Sequence, residues 1–163
     1  LDALGTYDYV TLSGGNPALL AANMAELVSK LKARGVTLAV ETQGSRWQEW
    51  LKDIDQVTLS PKPPSSKMEV NMETLDPDKV TFKVPVFDDD DLAFAKMIQE
   101  RYKPDVMFLS AGNPEPKAEG NIVQHQLDRL KELWETVAAD DSWGNVRVLP
   151  QLHTLLYDNE RGV

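Results

Sequence analysis

Residues 9–17 read Tyr9-Val10-Thr11-Leu12-Ser13-Gly14-Gly15-Asn16-Pro17, and residues 36–44 read Val36-Thr37-Leu38-Ala39-Val40-Glu41-Thr42-Gln43-Gly44. Each starts as a short apolar run and ends in small and polar residues, the pattern of a buried strand entering a turn. Between them Leu20, Met24, Leu27, Val28 and Leu31 fall on one face of a helix expected over Pro17 to Ala33. Pro17 suits its first turn, and Gly35 suits the position after its end. Strand, helix, strand is a crossover unit and predicts two parallel strands.

The pattern continues outward. Trp47, Trp50, Leu51 and Ile54 mark a short helix, and Val57-Thr58-Leu59 a third strand. In Pro61-Lys62-Pro63-Pro64-Ser65-Ser66-Lys67 the prolines exclude a regular helix and a central strand, so a loop is expected. Thr81 to Val86 alternates as a strand, with Pro85 near its end. Asp88 to Asp91 sit before a helix running to about Tyr102, where carboxylates complement the positive helix end. Val106 to Leu109 is a fifth strand, followed by a loop over Ser110 to Gly120. Val123, Leu127, Leu130, Trp134 and Val137 form one face of a long amphipathic helix. Val146-Arg147-Val148-Leu149 is a sixth strand, followed by a tail. Strands alternating with crossovers predict the α/β class with a parallel sheet, as an open layer or a partial barrel. A single domain over residues 1–163, with no linker or repeat, is expected.

Composition narrows the function. A net charge of −9 argues against sequence-independent binding of nucleic acid, which needs cationic patches. No apolar run approaches a membrane span, and Leu1 to Gly5 lack a signal-peptide pattern, so a cytoplasmic location is the default expectation. There is no cysteine, hence no disulfide, no thiolate nucleophile and no iron–sulfur ligand of the usual kind. The chain begins with Leu rather than Met, and a further N-terminal segment is expected.

Four segments follow strands directly: Ser13 to Pro17, Glu41 to Gly44, Ser60 to Lys62 and Ser110 to Asn113. In a parallel fold they are expected on one rim, where ligands collect. Ser13-Gly14-Gly15 offers backbone N–H groups that a ligand can approach closely, or is a plain turn. It matches neither the dinucleotide nor the P-loop fingerprint. Glu41 ends an apolar strand and either pairs with a neighbour or meets a ligand. Lys62, between prolines, is a pre-ordered cation for an anion or a solvated turn residue. His125 reads as a solvated helix residue, and His153 as a possible acid, base or donor. Neither has partners at zinc-ligand spacing. The Asp88 to Asp91 run reads as a solvated helix cap rather than a cation site. No nucleophile-elbow motif is present.

Taken in order, Leu12-Ser13-Gly14-Gly15-Asn16-Pro17, Val40 to Gly44, Leu59 to Lys67, Val148-Leu149-Pro150-Gln151-Leu152-His153 and Arg161-Gly162-Val163 form a set. The set resembles the 7-carboxy-7-deazaguanine synthase family of radical S-adenosylmethionine enzymes, in the longer form found in bacilli. The resemblance spans essentially the whole chain. It implies a partial parallel (β/α) barrel of the radical S-adenosylmethionine type, an incomplete core lacking its first strand and cluster loop. It implies a carbon–nitrogen lyase of queuosine biosynthesis, in the tRNA modification pathway, that contracts the ring of 6-carboxy-5,6,7,8-tetrahydropterin.

By the same resemblance Gly15, Ser60, Pro61, Lys62, Ser110, Ala111, Gly112 and Asn113 contact S-adenosylmethionine, and Ser13, His153 and the C-terminal carboxylate of Val163 contact the pterin. Ser110 stands where the family's pattern has Gln, and Asn16 where it has an acidic residue. The [4Fe-4S] cluster and Mg2+ of the family are held in a segment N-terminal to this one. No catalytic residue, cluster ligand or Mg2+ ligand is therefore expected in this chain, which is expected to be inactive alone. An open sheet edge left by the absent strand implies pairing with another chain or a disordered rim, and a homodimer is expected. The rival expectation is a non-catalytic protein or subunit that binds S-adenosylmethionine or a pterin.

Overall fold

The computed structural model describes residues 5–67, 80–113, 122–158 and 160. Six parallel strands are hydrogen-bonded in the order β1-β2-β3-β4-β5-β6. They are β1 (Tyr9–Leu12), β2 (Thr37–Thr42), β3 (Gln56–Leu59), β4 (Val80–Val86), β5 (Met107–Ala111) and β6 (Val146–Leu149). The helices are α1 (Ala22–Ala33), α2 (Asp89–Tyr102), α3 (Ile122–Ala138) and α4 (Leu152–Tyr157). The chain divides into two compact units, Leu1–Pro61 with Glu69–Phe82 and Lys62–Met68 with Lys83–Val163.

In the first unit β1, β2, β3 and the opening of β4 pair in that order in parallel register, with Leu12 beside Val40, Thr42 beside Leu59 and Leu59 beside Phe82. β2 is buried on both faces through Leu38, Ala39 and Val40, as a central parallel strand must be. Val28 and Leu31 of α1 and Leu51 add to this core. The β3 ladder ends at Phe82, so Pro85 removes no donor from it. The predicted helix over Pro17 to Ala33 is in fact two: a 3-10 turn at Pro17–Leu19, then α1. Leu20, predicted on the buried face, lies in the extended break between them and is exposed.

Asp55 closes the far end of this unit. Its carboxylate accepts from the Leu38 N–H at 2.7 Å and from Lys32 Nζ at 2.7 and 2.8 Å. The Leu38 hydrogen bond first, then Lys32, holds its carboxyl below the usual carboxylate range. A depressed folded pKa stabilises above the unfolded value of about 4 and is lost as pH falls through the folded value. Asp55→Asn is therefore expected to be less stable than the parent at neutral pH and to converge with it in acid. Unfolding followed from pH 7 down to about pH 2 checks this; a gap that stays constant counts against it.

In the second unit β5 and β6 pair in parallel from Met107 beside Val146 to Ser110 beside Leu149. Ala95 and Ile98 of α2, Leu133 of α3, Met107, Leu109 and Trp143 form its core. The face predicted for α3 is not the buried one. Ile122, Gln126 and Leu133 are buried, whereas Leu127 is 41% and Trp134 59% exposed. The residues read as a tail include the short helix α4.

Candidate functional site

Parallel pairing in the first unit puts the C-terminal ends of β1, β2 and β3 on one rim. The loop leaving β1 turns through Gly14 (φ +85°) and Gly15 (φ +55°), conformations that L side chains rarely adopt. A Cβ at either position would meet nothing within 4 Å, so the space beside both glycines is open. Ser13 and Gly15 are exposed, while the next residue is buried.

That residue, Asn16, ties the loop to the sheet. Its Oδ1 accepts from Thr42 Oγ1 at 2.5 Å, and its Nδ2 donates to Ser45 Oγ at 3.3 Å. Gln48 Nε2 donates to the Ala18 carbonyl at 2.8 Å just beyond. Thr42 in turn accepts from the Ser60 N–H through its carbonyl at 2.7 Å. The segments after β1, β2 and β3 are thus linked through Thr42. Gly44 (φ +73°) packs where a Cβ would lie 3.4 Å from Leu59. Ser60 and Glu41 are half-buried, and Pro61 is buried.

In the second unit the ends of β4 and β5 meet where the Gly112 N–H donates to the Val86 carbonyl at 2.7 Å. Gly112 sits so tightly on Phe87 that a Cβ would lie 2.5 Å from the ring. Arg129 of α3 clamps both: Nη2 donates to the Phe87 carbonyl at 2.7 Å and Nε to the Gly112 carbonyl at 3.2 Å. Buried Gln126 adds a longer bond to the same Gly112 carbonyl. Ser110 and Ala111 are buried, and Asn113 is half-buried.

Lys62 is half-buried at the start of the proline loop, which makes a 3-10 turn at Pro64–Ser66. Asp91, read from sequence as part of a solvated cap, is fully buried and accepts from Ser65 and Phe87. Asp88 is the cap, accepting from the Asp91 N–H at 3.0 Å. His125 and His153 are both exposed, the latter on α4, which packs on α3. Val163 lies outside the described residues. Sequence reasoning missed Thr42 as an acceptor, Asp91, Gln126 and Arg129. The one available signal was the spacing of Asp88 and Asp91, which places a second acid at the third position of a capped helix.

Among the described residues no three His, Asp or Glu side chains stand close enough to hold a metal ion. Nor is any described helix long and apolar enough to cross a membrane.

No family model matches the chain. It is similar to 7-carboxy-7-deazaguanine synthase of Bacillus cereus, 42% identical over 166 residues that cover 96% of this chain and 69% of the relative. The Bacillus subtilis synthase is 41% identical over 170 residues, covering 96% of this chain and 70% of the relative. Among solved structures, QueE from Escherichia coli superposes with a TM-score of 0.61 at 19% identity, over 92% of this chain and 59% of that one. Streptococcus suis SuiB bound to S-adenosylmethionine gives 0.56 at 14% identity, over 90% of this chain and 39% of its own. The parallel sheet with these neighbours defines the class: a partial (β/α) barrel of the radical S-adenosylmethionine type. Within that class the chain belongs to the 7-carboxy-7-deazaguanine synthase family.

Proposed function

We propose that this chain is the part of a 7-carboxy-7-deazaguanine synthase that contacts S-adenosylmethionine and the pterin, and that its parent carries out the ring contraction of 6-carboxy-5,6,7,8-tetrahydropterin. The observation that carries the proposal is the 42% identity to the Bacillus cereus synthase over nearly the whole chain. S-adenosylmethionine, reductively cleaved when bound, supplies the hydrogen-abstracting radical of this chemistry. The residues of the first unit suit that ligand: two adjacent glycines present open backbone, and Asn16 and Thr42 hold their loop against the sheet. Backbone N–H groups so exposed bind a carboxylate or other polar edge without side-chain crowding.

Gly15, Ser60, Pro61, Lys62 and the Ser110 to Asn113 segment are assigned to S-adenosylmethionine, with Lys62 offering a cation to its carboxylate. Ser13, His153 and Val163 are assigned to the pterin. The residues do not fit the family's cluster. With no cysteine among 163 residues, the chain supplies none of the usual thiolate ligands, and no step is assigned to a cluster here. The chain alone is then a binding element without turnover. The same lack of cysteine favours the second reading, a non-catalytic subunit that binds S-adenosylmethionine or a pterin. A cytoplasmic homodimer is part of the proposal.

The test is a titration of S-adenosylmethionine into the chain and its Gly15→Ala variant, beside an assay for conversion of the pterin. The variant meets no protein atom, so only the strain of its positive φ, about 1–2 kcal/mol, weighs on folding. Expected are a folded variant with affinity at least about tenfold weaker, and no conversion by either chain. Equal affinity in both removes Gly15 from the site; turnover by the chain alone overturns the assignment of a binding element.

A further inference from the structure

Asp91 is fully buried, yet it lies at the start of a helix whose neighbouring acids, Asp89 and Asp90, are exposed. Helix capping accounts for only its bond to the Phe87 N–H, just before the Asp88 cap, and not for its bonds to Ser65. Its oxygens accept three hydrogen bonds: from the Ser65 N–H at 3.0 Å, from Ser65 Oγ at 2.6 Å and from the Phe87 N–H at 3.0 Å. One side chain thus joins the proline loop to the residue that follows β4. Pro61, Pro63 and Pro64 have no N–H to donate, so few backbone donors can anchor this loop, and the one on Ser65 goes to Asp91.

We propose that Asp91 is a positioning residue for Lys62. It holds the 61–67 loop in one conformation, and that conformation sets how well Lys62 binds the anionic end of S-adenosylmethionine. The inference rests on the assignment of Lys62 to that ligand. Order in the loop before binding lowers the entropy lost on binding, so releasing the latch weakens affinity with no contact to the ligand removed.

Asp91→Asn keeps the shape but not the chemistry. An amide has one acceptor oxygen; if that oxygen keeps Phe87 and Ser65 Oγ, the NH2 group faces the Ser65 N–H and opens that bond. Hydrogen exchange and S-adenosylmethionine titration are run on the whole chain as parent, Asp91→Asn, Lys62→Ala and Ile98→Val. The last is a destabilising control in the buried part of the same helix. Expected for Asp91→Asn are amide exchange at Ser65 to Lys67 faster by about tenfold and affinity weaker by about tenfold, while Ile98→Val lowers the melting temperature and leaves both unchanged. If Asp91→Asn does not fold, Ser65→Ala removes a single bond and gives the comparison at smaller amplitude. Unchanged amide exchange at Ser65 to Lys67, or equal weakening by Ile98→Val, overturns the positioning role. Faster exchange with Lys62→Ala binding like the parent keeps the latch but overturns the assignment of Lys62 to the ligand.

Discussion

Replacing Gly112 by alanine is expected to lower the unfolding free energy by about 2–3 kcal/mol, the upper part of the range for overpacking. The added Cβ would stand 2.5 to 2.6 Å from three atoms of the Phe87 ring. Such an overlap is relieved cheaply if either backbone can shift, but both are pinned. Gly112 donates to Val86 and accepts from Arg129, while Phe87 donates to Asp91 and accepts from Arg129. The ring must therefore leave its place and surrender its packing. Urea unfolding reads the effect as a lower midpoint at unchanged slope. A variant as stable as the parent would show that the ring has room to swing.

Arg129→Met is expected to cost a similar amount, about 2–3 kcal/mol, from the loss of charge-assisted bonds to two carbonyls. The apolar stem is kept, so the change isolates the guanidinium. Only a planar fork reaches Phe87 O and Gly112 O together; a lysine ammonium serves one of them, and Arg129→Lys is expected to recover about half the loss. Because Arg129 and Gly112 share the same carbonyl, the double variant is expected to fall short of the sum of the two. Full recovery by lysine would show that charge alone matters there; strict additivity would show that the clamp and the ring contact act independently.

Both expectations concern a segment that stood out in the sequence and whose supporting partners did not. The segment after the fifth strand stood out because small residues follow an apolar run, as they do after the first, second and third strands. Nothing in the order of residues linked it to Arg129, which lies on α3, 17 positions beyond Gly112 in the chain. The run Asp88 to Asp91 shows the same limit within four residues. Identical side chains in succession divide into a cap, two solvated acids and one buried latch. Which acid turns inward depends on where the proline loop supplies its donors. On α3 the apolar stripe through Leu127 and Trp134 outweighed Gln126 in a reading by hydropathy, yet Gln126 is buried beside the Gly112 carbonyl and the two apolar residues are exposed.

The strands, the class and the family can be read from the order of residues alone. Strand position follows from short apolar runs bounded by glycine, proline and polar residues, a local property of the chain. Parallel order follows from the crossovers between them, and the family follows from motifs that occur in fixed order. Which polar groups hold the strand-end loops within each unit was set only by the folded packing. Asn16 with Thr42, Asp91 with Ser65, and Arg129 with Phe87 and Gly112 are pairings between residues 17 to 42 positions apart in the chain. A buried donor or acceptor must find a partner, but which partner it finds is set by the packing that buries it.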